Sequence, residues 1–559
     1  MLETSSSSKA IDYLIAIALI IGTLFALAPL RPGPQGVIQS GDLLDSSVRV
    51  SAYLIVLVLV WILWRRHAES TIGAFIMLAT FTIFFTSLWY FVLPNGGLLG
   101  GYGFPDRALY VVRNGMLPSA SLDNYVTSLP GIFVLWSTAM EVTHFNIGLT
   151  LTTLNSVVGL EYSFLVYAIA TRILKSRDLG MLSALIATVG NPFLFRGIEL
   201  DSLYGLVYFF LMVFLFVRWN KGPRQIAIVI MTLASIITYP LPAILFLIFL
   251  AFSLLALRYK GGVLPGFNIT TRSAINQLAT TMILFLGWFL YLGISYDSYL
   301  ALILRAFSSS VGPAVPNSYL NILLQGEITL LPGWAVFLTL FWYVAIYAIG
   351  SIGAIYLVLK KDRVGLITML LLGPCFLLAA IMLPLTGALV IRTLIYFPAF
   401  SAMVIVALLS KTPSRPHYVS LLILLIALPT LISYYPTVSY QIQYPPQISA
   451  GGFLENYHNS NGAIIYGTGA SPLEIQLVWQ TEQVRFFQVS GSAFVQAVLN
   501  LFEMSPGAVF PYSNLFAIQI SQLSNGNVTS GEVNLAFQHF LSTRDVVYNN
   551  GLSTIAWNQ

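Results

Sequence analysis

Apolar residues fill long stretches of this chain and polar ones punctuate them. Residues 11–30, 48–64 and 71–93 are the first three such runs, and each approaches the roughly 20 residues that carry a helix across a bilayer. The pattern recurs at 149–171, 179–196, 202–218, 225–240, 241–257, 274–296, 334–358, 364–384, 389–410 and 418–436. Read this way, the sequence predicts a polytopic α-helical protein of about 13 transmembrane helices. A secretory leader does not explain the pattern, because it repeats along most of the chain. From about residue 441 the material changes to Gly-, Asn- and Ser-rich polar sequence with strand-like runs, AIIYG (463–467) and VRFFQVSG (484–491). An amphipathic helix is expected at 492–503. The expected organisation is a three-span segment over 1–93, a membrane core with its loops over 94–440, and a small soluble α/β domain over 441–559.

Composition agrees. The chain is 57% hydrophobic and only 8% charged, where soluble domains carry about a quarter charged residues. The single cysteine, Cys375, lies in an apolar run, which excludes an intramolecular disulfide and reads as a small core residue. A nucleic-acid partner would need a basic patch on a soluble face, and the sequence offers none.

Charge then orients the helices. With the N-terminus in the cytoplasm, 17 of the 26 basic residues, including all seven lysines, fall in cytoplasmic turns. The opposite orientation reverses this asymmetry, so the positive-inside rule selects a multi-pass protein of the cell membrane with its C-terminal domain extracytoplasmic. On this topology the outer basic residues are all arginine. A guanidinium fork grips phosphate through two parallel hydrogen bonds, where lysine offers a point charge.

The outer segments also collect the candidate chemistry. Asp106, Arg107 and Arg113 crowd into GFPDRALYVVRNG, Glu199 and Asp201 follow Arg196 in FRGIELDSLYG, Arg305 and Glu327 lie in 297–333, and Arg392 opens a late span. Any one of these serves equally well as a solvated loop charge. Their grouping is informative because the chain uses charge so sparingly. Pro130-Gly131 then opens an apolar stretch of about 13 residues before Thr143-His144, too short to span and expected to lie on the outer surface.

In order along the chain, Asp106, Asn114-Gly115, Pro118, Tyr125 and Pro130-Gly131 are followed by LVYAIATRILKSRD, by GNPFLFRGIELDSLYG, by ITYPLPAILFLIFL and by Arg392 in RTLIYFPAF. Over roughly 90–440 this order resembles the GT-C superfamily of membrane glycosyltransferases, of the dolichyl-phosphate-mannose-protein mannosyltransferase kind. The resemblance implies transfer of a sugar from a polyprenyl-phosphate carrier to a lipid, glycan or protein acceptor at the outer face. It gives Asp106 the catalytic position as base or metal ligand, Glu199 and Asp201 a metal or acceptor role, and Arg392, Arg305 and Arg107 the donor phosphate. An oxygen-only donor set suits Mg²⁺ or Mn²⁺. Asp106 is flanked as PDR rather than as the acidic pair of protein O-mannosyltransferases, and no Trp-Trp-Asp signature marks the outer domain. An oligosaccharyltransferase catalytic subunit is therefore not the expected member.

Arg113, His144, Glu161 and Glu327 are secondary candidates. Glu161 falls near the middle of its span, where a carboxylate is costly and marks a substrate or proton path unless Tyr162 or Asn155 satisfies it. It is the main support for the rival reading, a transporter or lipid flippase; a non-catalytic envelope scaffold is the third. No two histidines have metal-ligand spacing, and no Walker, G-x-S-x-G or H-E-x-x-H motif occurs.

Overall fold

A computed structural model describes chiefly residues 104–118, 129–145, 147–191, 200–217, 223–259, 270–291, 333–382 and 395–411, with isolated positions elsewhere and five strands between 464 and 557. The expected spans at 11–30, 48–64 and 418–436 and the helix at 492–503 lie outside the described residues, as does nearly all of the span at 71–93.

The described part is predominantly helical: α1 (Phe104–Asn114), α2 (Gly131–Thr143), α3 (Ile147–Leu174), α4 (Arg177–Val189), α5 (Leu200–Val217), α6 (Pro223–Thr238), α7 (Leu241–Tyr259), α8 (Thr271–Tyr291), α9 (Gly333–Leu359), α10 (Arg363–Met382) and α11 (Phe397–Leu409). Among the described residues, Ile147–Leu174, Leu241–Arg258 and Arg363–Ala380 are long and apolar enough to cross a membrane. Helices α3 to α11 fall on nine of the expected runs, but two are much shorter than those runs. Helix α4 stops at Gly190, before Asn191-Pro192, and α11 begins only at Phe397-Pro398. Proline disfavours helix at the residue before it and is at home in a first turn. At 13 residues each, about 20 Å, neither spans the roughly 30 Å core.

Helices α4 and α11 instead form the centre. They pack on each other, with α3 and α5 on one side and α9 and α10 on the other. Every residue of α11 from Phe397 to Ala407 is buried. Its Phe400 meets Phe209 and Phe210 of α5 at centroid distances of 6.3 and 5.2 Å, and Tyr347 of α9 and Phe376 of α10 cross Phe397 edge-on at 4.7 and 4.6 Å. Lipid tails are as apolar as leucine, so such helices associate through close packing rather than through burial from water. Gly350 shows how close: a Cβ there would stand 2.1 Å from Ser401 Oγ and 3.1 Å from its Cα.

The turns after α3 and after α9 share one design. Lys175 and Lys361 take left-handed φ of 56° and 55°, and the next residue caps the following helix. Ser176 accepts from Leu179 N–H at 3.4 Å, and Asp362 accepts from Val364 N–H at 2.7 Å. Asp362 also pairs with Lys411 at the end of α11, tying three helix ends together. Burial alone would push the Asp362 carboxyl up, but the Lys411 ammonium and the Val364 N–H hold it below its ordinary value.

Five strands form one mixed sheet in the order β2-β1-β3-β5-β4. Strands β1 (Ile464–Gly467) and β2 (Arg485–Gln488) are parallel, with Ile464 opposite Arg485; β1 also runs parallel to β3 (Val509–Ser513). Strand β5 (Ser553–Trp557) lies antiparallel between β3 and β4 (Asp545–Asn549). Strands β1 and β2 fall inside the two runs that the sequence marks as strand-like.

Candidate functional site

Helix α1 is built from FPDRALYVVRN, whose apolar residues recur on one face. Ala108 is buried and Val111 packs against the core, while Arg113 and Asn114 are exposed. Asp106 sits in the first turn, where the unpaired N–H groups and the helix dipole favour a carboxylate. Of Asp106, the backbone position alone is described. The helix ends at Gly115, whose φ of 64° suits a residue without Cβ; its N–H donates to Val111 O at 2.9 Å. Asn114 Nδ2 closes the same turn on Tyr110 O at 2.9 Å. The chain then returns past Pro118, whose carbonyl accepts from Thr127 Oγ1 at 3.2 Å.

Helix α2 carries α1. The Arg107 guanidinium stands over the Phe133 ring, 6.0 Å from its centroid, within cation–π reach. Ile132, Phe133, Trp136 and Met140 of α2 are buried, while Val134, Leu135 and Val142 are exposed. At 13 residues the helix has the short length that the sequence predicts. Gly131 sets its seat: a Cβ there would be 2.4 Å from Thr238 Oγ1 and 3.1 Å from Ile237 O, at the end of α6. The helix closes at His144, exposed and left-handed at φ 57°, whose N–H donates to Met140 O at 2.9 Å. His144 thus works as a C-cap.

Below α2 the structure assembles a group that the sequence does not single out. Trp136 crosses Phe133 edge-on at 6.0 Å. Its indole N–H lies near the Tyr204 hydroxyl of α5, yet neither buried atom completes a hydrogen bond. Tyr208, one turn further along α5, reaches the Thr238 hydroxyl. Glu161 of α3 interacts electrostatically with both tyrosines. It is exposed, although protein crowds it on one side.

Along its own helix Glu161 sits about 21 Å from the start of α3, at the middle. The adjacent Tyr162 crosses Phe210 of α5 edge-on at 5.5 Å, about 15 Å from the start of that helix. Measured against α5, this part of α3 therefore also lies near mid-helix. Asp201 occupies the second position of α5, one turn before Tyr204, and its backbone alone is described. Glu199, Arg305, Glu327 and Arg392 lie outside the described residues. Arg107 and Trp136 both meet Phe133, while Arg113 and His144 are exposed. The available signal for the missed residues is Tyr204-x-x-x-Tyr208, a helical spacing that puts both rings on one face.

Among the described residues, no group of three or more His, Cys, Asp or Glu side chains is placed to hold a metal ion. The oxygen donors named for one, Asp106, Glu199 and Asp201, have side chains outside that description.

No family model and no curated protein matches the chain. Solved structures do, among them the crystal structure of the Archaeoglobus fulgidus oligosaccharyltransferase in complex with Zn and sulfate. The likeness covers 83% of this chain and 70% of that one at 14% identity, with a TM-score of 0.47.

Proposed function

We propose that this protein is a membrane glycosyltransferase of the GT-C kind, working at the outer face of the cell membrane with its N-terminus cytoplasmic and its C-terminal domain extracytoplasmic. It takes a sugar from a polyprenyl-phosphate carrier and gives it to a lipid, glycan or protein acceptor. The observation that carries this reading is the seating of α1. A short helix whose first turn carries Asp106 and Arg107 is held by α2 against the end of an apolar bundle, where a lipid-borne phosphate and a water-borne acceptor can meet.

In the proposed reaction the acceptor hydroxyl attacks the anomeric carbon while the sugar–phosphate bond breaks. Asp106 takes the hydroxyl proton as general base. The leaving phosphate is met by Arg392, Arg305 and Arg107, which stabilise charge that grows as the bond opens. Glu199 and Asp201 position the acceptor or, with Asp106, supply the hard oxygen ligands that suit Mg²⁺ or Mn²⁺.

The test is transfer of radiolabelled sugar from host membrane lipids by purified protein in nanodiscs, comparing wild type with Asp106→Asn. A positioned base contributes about 10²–10⁴-fold, so the variant should lose at least two orders of magnitude while still folding. Equal rates would remove Asp106 from the chemistry. No transfer by wild type from any host lipid extract would favour the transporter and scaffold readings.

A further inference from the structure

The turns after α3 and after α9 come to the same end of the bundle. Asn191, just past α4, donates from Nδ2 to the Ile395 carbonyl, just before α11, at 3.2 Å. Helices α4 and α11 pack side by side at equal length. They are therefore antiparallel, and the start of α4 lies beside the end of α11. Lys411, at that end, pairs with Asp362 between α9 and α10. Arg172, Lys175 and Arg177 thus share one end with Lys360, Lys361 and Arg363, the end expected in the cytoplasm. Both hairpins are close-packed: a Cβ on Gly180 would stand 2.9 Å from Thr171 N, and one on Gly365 2.5 Å from Val358 N.

Charge at this end is one-sided. Lys175, Arg177, Lys360 and Lys361 are exposed. The carboxylates of the two turns are Asp178 and Asp362, and Lys411 already answers Asp362. Arg172 and Arg363 are half-buried, and each has a buried Nε without a hydrogen-bond partner, which leaves donor capacity for an incoming acceptor. The neighbouring surface is apolar. Ile352, Ile355, Tyr356 and Leu359 are exposed along one face of α9. Where that face ends, Lys360 Nζ stands 5.8 Å from the centroid of the Tyr356 ring, within cation–π reach.

This pairing of surfaces selects a ligand class. A soluble polyanion would answer the cations and leave the apolar face bare. A neutral lipid would do the opposite, and a zwitterionic headgroup brings an ammonium that the cations repel. An anionic phospholipid meets both, with its phosphate on the basic turns and its acyl chains along α9. We propose that this end of the bundle binds the headgroup of an anionic phospholipid, with Lys175, Lys360 and Lys361 supplying the attraction and Arg363 a phosphate-binding guanidinium. The site lies at the opposite end of α3 from α1 and α2 and is independent of the transferase reading.

The probe is dioctanoyl phosphatidylglycerol, titrated onto full-length protein in dodecyl maltoside with bound lipid counted by native mass spectrometry. Dioctanoyl phosphatidylcholine should bind more weakly. One cation beside an anionic headgroup is worth about fivefold in affinity. Lys175→Gln should therefore weaken phosphatidylglycerol binding about fivefold, and Lys360→Gln with Lys361→Gln about 30-fold. Lys360→Arg with Lys361→Arg, which keeps both charges, should bind like wild type, as should Arg113→Gln at the other end of the bundle. Equal binding of the two lipids, or an unchanged affinity in the double glutamine variant, would overturn the proposal. So would displacement of the lipid by inorganic phosphate at equal concentration, which would make this a site for soluble anions.

Discussion

Gly131 is the position where a single methyl group should separate the seating of α2 from the stability of the bundle. A Cβ there would overlap Thr238 Oγ1 at 2.4 Å, but that hydroxyl can swing away by rotating about one bond. It would also stand 3.1 and 3.2 Å from the Ile237 carbonyl oxygen and carbon, and those backbone atoms cannot rotate away. A few tenths of an ångström must then be recovered by lifting α2 off the end of α6. Overpacking of this kind costs about 1–3 kcal/mol, offset by about 0.5–1 kcal/mol for replacing glycine in a helix. The net loss of about 1–2 kcal/mol should fall on α2, because α2 meets α6 at this point alone among the close approaches of its backbone described above. Hydrogen–deuterium exchange in nanodiscs reads it: amides of 131–143 should exchange about 5–30-fold faster in Gly131→Ala, with α9 to α11 unchanged. Gly287→Ala is the control, since a Cβ there meets nothing within 4 Å. Wild-type exchange across 131–143 in Gly131→Ala would show that α2 is not held by that contact. The account of how α1 is placed would then fail with it.

Three other expectations follow from the packing. Gly350→Val should destabilise the α9–α11 contact by about 1–3 kcal/mol or more, seen as a lower thermal midpoint in detergent; a midpoint equal to that of Gly287→Ala would refute the close approach to Ser401. Asp362→Asn keeps a good helix cap and removes the charge paired with Lys411. The folded carboxyl titrates below its ordinary value, so its contribution is full above about pH 4 and is lost as pH falls through the depressed folded value. Lys411 is about half exposed, which limits the gap between wild type and variant to less than about 1 kcal/mol; a gap that persists undiminished at pH 2–3 would exclude the charge as its source. Phe133→Leu should loosen Arg107 by about 0.5–1 kcal/mol, and faster exchange confined to α1 would register it.

How much of this was readable in the sequence depends on what kind of signal set each feature. Helices α3 and α5 to α10 lie where apolar runs put them, because a charged turn such as 360–363 is the strongest contrast an otherwise apolar chain can offer. The runs at 179–196 and 389–410 overstate α4 and α11, since apolar sequence continues past the point where Asn191-Pro192 and Phe397-Pro398 set the backbone. In a membrane chain hydrophobicity says where lipid or core is, and proline and capping chemistry say where helix is. The short helix α2 was legible for the same reason in reverse, being bounded by Pro130-Gly131 and His144.

The group around Glu161 shows the limit more sharply. Its position in a 28-residue helix fixes its depth along that helix and nothing else, so sequence puts it at mid-membrane. Its depth relative to α5 depends on how far α3 extends past its neighbour, a property of two helices packed together that neither one encodes alone. Trp136, Tyr204 and Tyr208 were hidden by abundance: with 14% aromatic residues, rings at helix ends are expected everywhere in a membrane protein. What distinguishes Trp136 and Tyr204 is that their buried polar atoms lie near each other without completing a hydrogen bond. Glu161 stays at the middle of α3, next to a tyrosine that meets Phe210 well inside α5, and so keeps its place as the main support for the transporter reading.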